Sequence, residues 1–245
     1  MLADLWARAS STTPPPSWQV VLLLGLVSLV VTWSPVGYRL VRHLVTLVHE
    51  AGHAAVAALV GRRLTAIRLH SDTSGVTVSR GRPRGPGMVA TVLAGYPAPA
   101  VVGLAGAFLL GAGYAATLLW AMVLTCALVL LLVRNLYGLW VVLVVGVGVA
   151  VLSWAAPAPV LTGTAYLVVW CLLLAAPRSV VELHRARRGR GRRDGRGHAG
   201  GGGAGSDADQ LRRLTGLPAG LWTGAFWLLT VGALLLGARE LLLAG

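Results

Sequence analysis

Residues His49-Glu50-Ala51-Gly52-His53 form an H-E-x-x-H motif within the apolar stretch LVTLVHEAGHAAVAALV. On a helix, residues four apart lie one turn apart on the same face, so both imidazoles can reach one Zn²⁺. The glutamate between them can then address a water beside the metal, which is the chemistry of a metalloprotease signature. With 6 His and 3 Glu in 245 residues, about 0.002 chance matches are expected from composition. A lone histidine in a membrane helix is more often a packing contact. Two histidines and a glutamate in one apolar helix carry an insertion cost that marks a functional site.

A catalytic zinc normally has three protein ligands and one open position, and the motif supplies two. Only eight residues are acidic. Glu50 is the base, Asp4 precedes the first apolar run, Glu240 ends the last one, and Asp194 sits among arginines. Asp72, Glu182, Asp207 and Asp209 remain. Asp207 and Asp209 stand in Ser206-Asp207-Ala208-Asp209, where a Gly-rich stretch ends, and that stretch could let them reach back to the histidines. They suit a helix N-terminus equally well, so ligand and cap stay open as alternatives.

The elements that must position these residues are read from hydropathy. The chain is 56% hydrophobic and 12% charged, a polytopic membrane composition. Apolar segments near 18–34, 39–60, 88–112, 114–133, 137–155, 159–177 and 218–238 each approach the roughly 20 residues that cross a bilayer. The expected fold is therefore all-α, with about seven transmembrane helices, the H-E-x-x-H helix spanning 39–60. Pro97-Ala98-Pro99 should interrupt the third helix. Residues 1–17 form an N-terminal cytoplasmic segment, 18–177 the membrane core, and 206–245 a short amphipathic segment with the last helix. The first apolar run lacks a small-residue cleavage site and reads as a retained helix.

The net charge of +13 comes from 21 basic residues, all arginine, set in loops between apolar segments. That pattern fits the positive-inside rule. With the N-terminus inside, only Arg39, Arg42 and Arg239 fall outside, which places the metal nearer the cytoplasm. Residues 178–205 read as a disordered Arg/Gly-rich cytoplasmic linker. Its partners are expected to be membrane lipids and anionic headgroups; no aromatic residue is interleaved there, so no specific nucleic acid is expected. Between the second and third helices, Ile67, Leu69, Val76 and Val78 alternate with polar residues around Asp72-Thr73-Ser74-Gly75. This predicts a β-hairpin over 64–79 whose edge could take an extended peptide, a plain connecting loop being equally compatible. Cys126 and Cys171 lack metal-ligand spacing and read as packing residues. Heavy use of Ala, Gly, Val, Leu and Arg without Lys suggests a GC-rich, bacterial source.

Several stretches together carry a resemblance: VHEAGHAAVAALVG, AGYPAPAVVGL, Arg134-Asn135-Leu136-Tyr137-Gly138 and SDADQLRRLTGLPAGLW. The chain resembles the M50 metallopeptidase superfamily of intramembrane site-2-type proteases, in its M50B-like branch, from about Leu47 to Trp222. The resemblance implies an intramembrane zinc protease with His49 and His53 as ligands and Glu50 as catalytic glutamate. Such proteases usually take the third ligand from an Asp-Gly in a later membrane helix. Here the one Asp-Gly is Asp194-Gly195, in the basic stretch. The branch-like Ser-Asp-Ala makes Asp207 the expected third ligand and Asp209 the reserve. Asn135, the one asparagine, is a candidate partner for a substrate backbone or transition-state oxygen; a hydrogen bond at a helix start is its other use.

The expected activity is hydrolysis of peptide bonds in or near transmembrane segments of a membrane-tethered protein or peptide. A substrate helix must unwind before cleavage, because lipid leaves its backbone bonds satisfied internally. The alternative is an inactive M50-like membrane scaffold, motivated by the missing Asp-Gly. A transporter is disfavoured, since no internal repeat is visible.

Overall fold

A computed structural model describes residues 2–194 and 205–243. In chain order the elements are α1 (Leu2–Ala9), α2 (Trp18–Trp33), α3 (Pro35–Leu59), β1 (Arg63–Leu69), β2 (Gly75–Arg80), α4 (Pro86–Leu93), α5 (Pro97–Gly111), α6 (Ala115–Leu130), α7 (Leu136–Ala155), α8 (Ala158–Asp194), α9 (Asp207–Thr215) and α10 (Ala219–Leu243). α8 is the central post and packs against α2, α3, α5, α6 and α10. Tyr166, Val169 and Leu173 on it are fully buried. On the outside of α7, by contrast, Leu136, Trp140, Leu143, Val147, Val151 and Trp154 are exposed along one helical face. An apolar stripe of that length, facing away from the protein, belongs in lipid.

Three helices, α7, α8 and α10, are long and apolar enough to cross a membrane. The count reaches five if two bent pairs each make one span, α2 with α3 at 99° and α4 with α5 at 64°. Seven separate spans are therefore not confirmed among the described residues. Ser34 is extended and Pro35 opens α3, so the chain turns sharply where an ordinary loop between two spans was expected. The 64° bend falls at the Pro97 interruption, splitting one expected span into two helices. α6 has 16 residues, about 24 Å, short of a roughly 30 Å hydrocarbon core.

The basic stretch also differs from expectation. Arg178–Asp194 continues α8 as helix instead of forming a linker, and only 195–204 of the expected disordered segment lies outside the described residues. Arginine is a good helix former, and Val180 and Leu183, one turn apart, bury against Leu211 and Phe226. The expected sidedness changes with it. Arg8 donates to the Trp154 carbonyl, and Thr13 meets Thr162 at 3.2 Å, so the N-terminal segment sits at the start of α8. Arg178 and Arg42 both meet Glu182, at 3.8 and 3.5 Å, about 30 Å further along the helix axis than Thr162. If α8 crosses the bilayer, the N-terminus cannot share a face with Arg178, and Arg42 does not lie opposite it.

The hairpin forms over nearly its expected range. β1 and β2 are antiparallel, with Ile67 opposite Thr77 and Arg63 opposite Arg80. On the far side of β1, Ile67 pairs in parallel with Val133, through Ile67 N–H to the Leu132 carbonyl and Arg134 N–H to the Ile67 carbonyl. The other edge of β2 has no strand partner among the described residues.

Candidate metal centre

His49, Glu50 and His53 lie on α3, where the motif spacing stacks them along one wall of a cavity of about 610 Å³. The cavity is of the size that holds a ligand. His49 Nε2 and His53 Nε2 are 3.1 Å apart. Asp207 enters from α9, and its Oδ2 lies 3.2 Å from His49 Nε2 and 3.3 Å from His53 Nε2. Among the described residues, these three form the group of His, Cys, Asp or Glu side chains with donor atoms within 4.8 Å of one another.

The electrostatics of that triangle call for a cation. His53 Nδ1 is 2.7 Å from the Thr91 carbonyl, and a carbonyl only accepts, so Nδ1 carries the proton. In the neutral ring, Nε2 then presents its lone pair to the site. Asp207 Oδ2 is buried and has no hydrogen-bond partner. Lone pairs facing one another across this distance repel unless a cation lies between them. Nitrogens about 2.0–2.1 Å from a tetrahedral zinc would be about 3.3–3.4 Å apart, close to the observed edges. Two imidazoles and a carboxylate are also a donor set that suits zinc.

Each neighbouring element supplies a specific feature. Glu50 is 3% exposed; Thr77 on β2 donates its hydroxyl to Glu50 Oε2 at 2.6 Å and to the Glu50 carbonyl at 3.1 Å. Gly75, at the start of β2, is needed for space: a Cβ there would fall 2.6 Å from Glu50 Oε1. Gly95, between α4 and α5, is closer still, since its Cβ would fall 2.4 Å from His53 Nε2 and 2.6 Å from His49 Nε2. Tyr96 meets the His49 ring edge-on at 4.9 Å and stacks on Phe226 at 5.3 Å. Sequence reading reached the motif and Asp207 but missed Thr77, Thr91, Gly75 and Gly95. The glycine in AGYPAP, which must interrupt a helix beside prolines, was the available signal for Gly95.

The other expected residues fall elsewhere. Ser206 is the N-cap of α9 and accepts from Asp209 N–H, so Asp207 is free of the capping role and points to the histidines. Asp209 turns away and meets Arg187 Nε at 3.1 Å. Asp72 accepts within its own turn from Ser74, and Glu182 takes the Tyr38 hydroxyl at 3.1 Å. Asn135 is not brought to the centre. Its carboxamide accepts from Leu69 N–H and donates to the Leu69 carbonyl, extending the β1 ladder by one side chain.

No curated protein and no solved structure matches the chain. The family model described as Peptidase M50B-like matches residues 22–237, nearly the whole length. With its membrane-type helices, this chain belongs to the Peptidase M50B-like family.

Proposed function

We propose that the chain is a zinc-dependent intramembrane endopeptidase that hydrolyses peptide bonds in or beside transmembrane segments of membrane-tethered substrates. The observation that carries this reading is the approach of Asp207 to within 3.3 Å of two histidines more than 150 positions earlier in the sequence. His49, His53 and Asp207 would hold the zinc. Bound there, the metal supplies a Lewis acid that makes water more acidic and polarises a carbonyl oxygen.

Glu50 accepts the proton of the attacking water and delivers it to the leaving amine. Thr77 holds Oε2 of that carboxylate, leaving Oε1 to exchange the proton. Tyr96 closes one side of His49 and limits entry of bulk water. The free edge of β2 runs along the cavity and would take the unwound substrate as an added strand. Arg178, Arg185, Arg187 and Arg188 at one end of α8 favour a cytoplasmic position for the site end and contact with anionic headgroups. The N-terminal segment then lies on the outer face of a bacterial cytoplasmic membrane.

The test is cleavage of a membrane-tethered candidate substrate by detergent-purified, zinc-loaded protein, wild type beside Glu50→Gln. Loss of cleavage with zinc retained supports the mechanism; unchanged cleavage in Glu50→Gln refutes it. Zinc bound by the wild type without cleavage of any membrane-tethered substrate would instead favour the inactive-scaffold reading.

A further inference from the structure

Asp207 reaches the histidines from a short helix held by its packing on neighbouring elements. α9 has nine residues, below the length at which a helix is stable alone. Its apolar side, Ala208 and Leu211, packs on Val180, Leu183 and Phe226. Such contacts are non-directional and leave rotation and sliding of the helix weakly defined. One set of directional contacts supplements them. Arg187 on α8 donates through Nε to Asp209 Oδ1 at 3.1 Å and through a terminal nitrogen to the Thr223 hydroxyl of α10 at 3.2 Å. Ser206 donates to the other Asp209 oxygen at 2.7 Å. One guanidinium thus ties α9 to both α8 and α10, two residues from the carboxylate that faces the histidines.

We propose that Arg187 and Asp209 are positioning residues that fix the reach of Asp207 and so set the metal affinity of the centre. This rests on the metal-centre reading above. Neither residue supplies a donor atom to the metal centre: Asp209 faces away from the histidines, and Arg187, which lines the same cavity, is a cation whose charge alone opposes metal binding. That charge gives the proposal a distinctive signature. Through simple electrostatics, removing Arg187 would tighten cation binding and removing Asp209 would weaken it. Through position, both removals weaken it.

The test is zinc affinity of the full-length protein in detergent, by competition with a chromophoric chelator. The proteins compared are wild type, Asp207→Ala, Arg187→Gln, Asp209→Asn and the exchanged pair Arg187→Asp with Asp209→Arg. Both single changes should weaken zinc by about tenfold, the lower end of the range for groups that orient metal ligands, and the exchanged pair should recover most of that loss. Tighter binding in Arg187→Gln, wild-type affinity in both single variants, or an exchanged pair no better than the singles overturns the positioning role. A wild type that binds no zinc, or an Asp207→Ala protein with wild-type affinity, overturns the metal centre itself, so the two failures are distinguishable.

Discussion

Gly95→Ala adds one methyl group at the point where the centre has least room. The φ of Gly95 is not in the left-handed region, so alanine is acceptable to the backbone and only space opposes it. The methyl would fall 2.4 Å from His53 Nε2, 2.5 Å from His53 Cε1 and 2.6 Å from His49 Nε2, well inside van der Waals contact. Either the imidazoles rotate away or the turn between α4 and α5 moves. Rotation of His53 breaks its bond to the Thr91 carbonyl and leaves that buried acceptor unpaired, at about 1–3 kcal/mol. If the rings stay and the turn moves instead, overpacking costs about 1–3 kcal/mol. Either response costs about 1–3 kcal/mol, or at least roughly fivefold in zinc affinity at 1.4 kcal/mol per tenfold. The assay is chelator competition on purified protein, with Gly148→Ala as control because a Cβ there meets nothing within 4 Å. Wild-type zinc affinity in Gly95→Ala would refute the claim that the histidine nitrogens beside Gly95 form the metal site.

Gly75→Ala puts its methyl on Glu50 instead, so cleavage should fall at least tenfold while zinc affinity stays within about threefold, the metal ligands being untouched; joint loss of both would contradict that separation. Thr77→Val removes the hydroxyl that holds Glu50 Oε2 and should lower kcat by about tenfold with a smaller effect on KM, less than the roughly 10²–10⁴-fold contribution of a general base itself. Thr77→Ser should restore it, and failure of serine to do so counts against the hydroxyl. Asn135→Ala leaves the Leu69 N–H and carbonyl unpaired, predicting about 1–3 kcal/mol lower stability by thermal unfolding with KM unchanged. A raised KM at unchanged stability would restore its substrate role. Cysteines placed at Ser10 and Arg188 should react with an impermeant maleimide from opposite faces of sealed vesicles, and labelling from the same face would refute the sidedness drawn from α8.

What the sequence made legible was chemistry tied to local spacing. His49, Glu50 and His53 follow from the one-turn repeat of a helix, and the hairpin from period-two alternation around a turn. Asp207 was reached only by elimination and resemblance, because its geometry depends on α9 packing against α4 and α10. No local pattern encodes such contacts, and an acidic residue at a helix start reads equally well as a cap. In the structure the cap is Ser206 and Asp207 faces the histidines.

The unconfirmed spans have a related cause. Hydropathy measures how apolar a segment is, not where it points, so α2 and α3 look like two crossings although Ser34 and Pro35 set them at 99°. The inside–outside count inherited that error, alternating sides at every apolar segment and placing Arg42 opposite Arg178. Glu182 receives both guanidinium groups, and two cations cannot meet one carboxylate from opposite faces of a bilayer. The bend also serves the site. It turns α3 away from the direction of α2, so that its motif face meets the hairpin, the α4–α5 turn and α9 together, and no straight span continuing α2 could present it to all three.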